Sequence, residues 1–130
     1  MKKTLLIMLA VFAFSMPQNH MITNDPGLKL AFAKKYKAAL ENFKQRCEKN
    51  DGYACGMAGY FYEKGFGDIK INNNLAIEYY KKGCNLNDAD SCTLLGYETY
   101  KNGNKKKAKK LLKKGCKLGN KDACNYLNKF

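Results

Sequence analysis

Residues 76–92 read AIEYYKKGCNLNDADSC. The opening residues have the composition of a helix end, the middle that of a turn, and the last residues begin a second helix. A cysteine stands on each side of the turn, Cys84 and Cys92, eight positions apart. The same pattern stands at 39–55, ALENFKQRCEKNDGYAC, and at 108–124, AKKLLKKGCKLGNKDAC. Each copy runs Ala, seven residues, Cys, seven residues, Cys, and all six cysteines fall on this grid. Self-similarity of this kind signals a repeat architecture in which each repeat is one supersecondary unit.

On one unbroken helix, eight residues would hold two Cα atoms about 12 Å apart. A disulfide tolerates no more than about 7 Å. A bridge between Cys84 and Cys92 therefore requires the chain to fold back between them. The intervening residues suit a turn: Asn85, Asn87, Asp88 and Asp90 here, Asn50, Asp51 and Gly52 in the first copy, Gly119, Asn120 and Asp122 in the last. Asp51, Asp88 and Asn120 fit as N-caps of the helices that follow. Bridges Cys47–Cys55, Cys84–Cys92 and Cys116–Cys124 would each clamp a helical hairpin at its bend. On the chain-entropy model each contributes roughly 2–3 kcal/mol. Three pairs of buried free thiols are the alternative. A zinc site has less support, because C-x2-C spacing is absent and the single histidine, His20, lies far upstream.

Composition agrees with a stapled helical domain. The chain has 130 residues and a formal net charge of +13, carried mostly by lysine. Its two prolines, Pro17 and Pro26, leave everything after residue 26 free to be helical. A single small domain buries little surface, and disulfides are the usual remedy in an oxidising compartment. The N-terminus supplies a route there. Met1-Lys2-Lys3 is a short positive region, Leu5 to Phe14 is an apolar run of ten residues, and Ala13-Phe14-Ser15 offers small residues before Met16. This reads as a signal peptide over 1–15, removed on export to the periplasm or the medium. A membrane anchor would need about 20 apolar residues, and no later segment is apolar enough to cross a membrane. Residues 16–27 read as a flexible leader in which His20 is solvated and idle.

Helices are expected at about 28–49, 53–64, 74–86, 89–102, 104–118 and 121–129. Gly65 and Gly103 stop the second and fourth of these. Cys47 to Cys84 spans 37 residues and Cys84 to Cys116 spans 32. The difference falls in a loop, where Gly65 to Asn74 shortens to Gly103-Asn104, and a helical array tolerates that.

The carrying residues of a family resemblance are Ala58-Gly59, Tyr62, Gly65 and Gly67, then Ala76, Tyr79-Tyr80-Lys81-Lys82 and Cys84, then Asn87-Asp88, Cys92 and Leu95-Gly96. On them the chain resembles the Sel-one-like repeat, a relative of the tetratricopeptide repeat. More narrowly it resembles the Helicobacter cysteine-rich protein family. The resemblance covers about 39–128. The second unit departs from it, with Tyr100 and Gly103 one residue late. It implies an all-α fold, a right-handed superhelical array of antiparallel helix pairs over 28–130, with about two and a half repeats here. So short an array leans on its disulfides, and dimerisation would help it. Gly59 and Gly96 would let helices approach closely. Tyr62, Tyr79 and Tyr100 are expected as core.

The resemblance also implies an activity, since the family carries a β-lactamase label and its members look like penicillin-binding proteins. The residues themselves offer no matching site. A serine enzyme would want S-x-x-K and a downstream K-T-G, but Ser15 and Ser91 are followed by MPQ and CTL. No set of histidines suggests a metal, the repeat uses every thiol, and no cofactor is implied.

A superhelical array offers instead a concave face lined by the first helix of each pair. The expected ligand face is Met57, Tyr60, Glu63 and Lys64 on one helix and Thr93, Tyr97 and Lys101 on the next. Plain solvent exposure is the competing reading. Candidate ligands are a peptide, a cell-wall fragment, a β-lactam or another protein. A third reading rests on residues 101–117, which hold nine lysines around a strip of Ala108, Leu111, Leu112 and Cys116. Such a helix suits an anionic surface. Nucleic acid is not expected, because Arg46 is the single arginine and export removes the chain from it.

Overall fold

The computed structural model describes residues 24–130. Among these residues the chain is all-α: α1 Pro26–Phe32, α2 Tyr36–Glu48, α3 Gly52–Lys64, α4 Asn73–Asn85, α5 Ala89–Lys101, α6 Lys105–Lys117 and α7 Lys121–Leu127. Each helix packs on the next, and α3 also touches α5. The most extensive contacts are α3 on α4 and α5 on α6. These are the helix pairs of an α/α solenoid.

The three cysteine turns share one backbone. The third residue after the first cysteine has positive φ in every copy: Asn50 at 66°, Asn87 at 64° and Gly119 at 107°. Asn and Gly tolerate this left-handed conformation best. The next residue caps the following helix. Asp51, Asp88 and Asn120 accept from the backbone N–H of Ala54, Ser91 and Ala123. The chain thereby reverses within four residues, and the cysteines meet. Cys47–Cys55, Cys84–Cys92 and Cys116–Cys124 are bridged, with Cα atoms 4.6, 4.5 and 4.7 Å apart. Each bridge links the second helix of one pair to the first helix of the next. The disulfides therefore tie pair to pair, while apolar packing holds each pair together.

That packing uses small residues in register. A Cβ on Gly59 would come within 2.7 Å of the Tyr80 ring, and one on Gly96 within 2.8 Å of Leu112. Tyr80 and Leu112 are fully buried between their helices. Ser91 has no exposed surface and fills the space left by Gly56 and Gly83. Tyr62 of α3 stacks on Tyr79 of α4 at 5.8 Å within the pair, and Tyr100 packs on Tyr126 and Phe130; all three are half-buried and border the core rather than fill it.

The N-terminal part differs from the sequence reading. The single helix expected over 28–49 is two, broken at Lys34, whose φ is +60°. The first begins at Pro26, inside the stretch read as leader, because Asp25 caps it and proline suits the first helical turn. Gly27 is buried against Phe43, where a Cβ would lie 2.5 Å from the ring. The signal-peptide reading of 1–15 and the placement of His20 lie outside the described residues.

Candidate functional site

The first helices of successive pairs, α3, α5 and α7, line a groove of about 300 Å³. Tyr53, Tyr60 and Tyr97 line it, and Met57 and Leu94 add apolar surface. Asp88, Asp90, Asn120 and Asp122 stand along one side. The repeat turns put them there. Asp90 and Asp122 each stand two residues before the second cysteine of their hairpin, as Tyr53 does. Gly56 lets the start of α5 close on α3, since a Cβ there would lie 2.9 Å from the Asp88 carboxylate.

Local bonds hold this side in place. Asp88 accepts from the Ser91 N–H at 2.9 Å and from its hydroxyl at 2.6 Å. The Asn120 side-chain amide donates to Asp90 at 2.6 Å and ties α7 to α5. Burial pushes the Asp88 carboxyl up, against the pull of its two bonds from Ser91, and Asp90 and Asp51 add to the rise. Burial likewise raises the Tyr97 phenol, with Asp122 and Tyr126 adding to it.

Four of the seven residues expected on the ligand face meet here: Met57, Tyr60, Thr93 and Tyr97. Thr93 contributes little surface, being 2% exposed. Its hydroxyl donates to the Ala89 carbonyl at 2.8 Å, and it packs against Gly115 of α6. Glu63, Lys64 and Lys101 do not line the groove. They lie toward the far ends of α3 and α5, where Lys64 stands 3.7 Å from Glu63 and Lys101 stands 2.6 Å from Glu98. Helical periodicity puts all seven residues near one face, but these three stand in the last turn of their helices, beyond the stretch that lines the groove. The sequence reading missed Tyr53, Leu94, Asp90 and Asp122. The shared cysteine register was the signal that could have found them.

The other sites weighed from sequence resolve simply. Ser91 is fully buried, and its hydroxyl is committed to Asp88. Among the described residues no three His, Cys, Asp or Glu side chains gather to hold a metal, and no helix is long and apolar enough to cross a membrane. On α6, Ala108, Leu112 and Gly115 face inward. The lysines are exposed except Lys114, which donates to the Cys84 carbonyl at 2.8 Å.

The sequence pattern of the Sel1 repeat matches residues 52–88 and 89–120, one copy per helix pair. Among solved structures, the fold is similar to cysteine rich protein B of Helicobacter pylori. The TM-score is 0.65 and the identity 29%, over 81% of this chain and 99% of that one. It is also similar to a Sel1 repeat protein from Oxalobacter formigenes, with TM-score 0.65 and 26% identity, over 83% of this chain and 44% of that one. No curated protein matches the sequence.

Proposed function

The chain belongs to the Sel1 repeat family, and from that premise we propose that it is a protein-interaction module that lays an extended peptide segment in the α3–α5–α7 groove. The observation that carries this reading is the groove's wall. Three tyrosines and two flexible apolar side chains from two successive repeats line one continuous depression. Tyrosine supplies large amphipathic contact area at low entropic cost, which suits peptide binding. The three disulfides belong to an oxidising, extracytoplasmic environment. A cleaved signal peptide over 1–15 is the route we propose. The N-terminal mass of the exported protein tests it, and a mature chain beginning at Met16 is expected.

The β-lactam reading fits the groove poorly. Penicillins and cephalosporins carry a carboxylate, and three aspartates line the groove it would have to enter. Ser91, the one serine among the described residues, would have to unpack before it could be acylated. We therefore expect a chromogenic β-lactam incubated with oxidised protein to show no turnover beyond one equivalent. Sustained turnover would replace the scaffold reading with an enzyme. Peptide binding itself is tested by panning a displayed peptide library on the protein, with Tyr97→Ala as the groove-deficient control. Bound clones that lose affinity for Tyr97→Ala are expected.

A further inference from the structure

The groove has the opposite charge to the chain around it. The protein carries 24 Lys and Arg against 11 Asp and Glu. Yet Asp88, Asp90 and Asp122 line the groove, and among the described residues no lysine or arginine does. These carboxylates are not equally committed. Asp88 is spent on capping α5 through Ser91. Asp90 accepts one bond, from Asn120, and keeps further acceptor capacity. Among the described residues Asp122 has neither an ion-pair partner nor a side-chain hydrogen bond. Tyr53, Tyr60 and Tyr97 line the same groove, and aromatic rings attract cations as well as apolar groups, as Lys64 over the Tyr60 ring already shows.

We propose that the segment bound in this groove is cationic, with a Lys or Arg next to an apolar or aromatic residue. The apolar side chain covers Met57 and Leu94. The basic side chain lays its stem along a tyrosine and brings its charge to Asp90 and Asp122. This rests on the groove being a peptide site and adds the chemistry of the peptide. It also opposes what net charge alone predicts. A chain so rich in lysine attracts anions at long range, but that field is screened beyond about 8 Å at physiological salt. Within the groove the adjacent carboxylates dominate.

The test is a displayed library of random heptapeptides panned against the oxidised full chain at physiological salt. The enriched clones are then measured on Tyr97→Ala and on the double variant Asp90→Asn/Asp122→Asn. Both asparagines keep side-chain shape, and Asp88 is left intact to hold α5. The expected result is enrichment of Lys or Arg within two positions of an apolar residue, with about tenfold weaker binding to the double variant. Neutral or acidic clones that still depend on Tyr97 would overturn the charge proposal and leave the peptide groove standing. Cationic clones indifferent to the double variant would overturn it in the same way. Clones indifferent to Tyr97, or none at all, would overturn both.

Discussion

Gly59 of α3 lies flat against the ring of Tyr80 of α4, so close that a Cβ would stand 2.7 Å from two ring carbons and 3.0 Å from the Ala76 carbonyl. The ring has no room to retreat, since Tyr80 is fully buried. Gly59→Ala should therefore destabilise the protein by about 1–3 kcal/mol through overpacking. Gly96→Ala meets the more adaptable side chain of Leu112 and should cost less. Denaturant midpoints that fall in that order, at constant m, are the expected outcome.

Tyr80 carries the second prediction. Its hydroxyl is buried and, among the described residues, makes no well-formed hydrogen bond, although the Glu63 carboxylate lies beside it. Burial, with Glu63 and Glu98 nearby, pushes the phenol far up. A buried hydroxyl without a partner costs desolvation and returns nothing. Tyr80→Phe should leave stability unchanged or raise it by about 1 kcal/mol. A clear loss in thermal unfolding would mean that Glu63 satisfies the hydroxyl.

Arg46 fastens the N-terminal helix. Its two terminal nitrogens donate to the two carboxylate oxygens of Asp25, at 3.0 and 2.9 Å, and it also reaches Asp51. Burial alone pushes the Asp25 carboxyl up, but the bonds from Arg46 and the Leu28 N–H outweigh it, and the net shift is down from 3.8. A carboxylate lowered on folding contributes stability that is complete above its unfolded value. That stability is lost as pH falls through the lower folded value. Below pH 3.8 the α1 amides should lose hydrogen-exchange protection before those of α3 to α6. Asp25→Asn should open α1 at neutral pH by about 1–2 kcal/mol.

The three bridges should differ in reactivity. Cys55 and Cys92 have no exposed surface, and Cys47 and Cys84 are buried, whereas Cys116 and Cys124 are both partly exposed. Thiol–disulfide exchange needs access to sulfur. A reductant titration followed by alkylation and mass spectrometry should label Cys116 and Cys124 first. Removing that bridge as a Cys116→Ser/Cys124→Ser pair should cost roughly 2–3 kcal/mol.

What was legible in the chain was local. An Asn or Gly able to take positive φ, a capping Asx after it and cysteines eight apart all act within one turn. The grid therefore read out the reversals, the caps and the bridges. Gly59 and Gly96 were legible as close-approach points because the repeat carried them in register. Other features depend on how distant segments meet. Arg46 finds Asp25 across 21 positions, which no local pattern signals. The break at Lys34 accompanies the packing of Gly27 of α1 on Phe43, although residues 28–49 read as one amphipathic run. Met57, Tyr60 and Tyr97 meet in the groove while Glu63, Lys64 and Lys101, at the ends of α3 and α5, stand beyond its lining. The three aspartates come from two turns, Asp88 and Asp90 from one and Asp122 from the next. Only the stacking of pair on pair collects them beside one set of tyrosines.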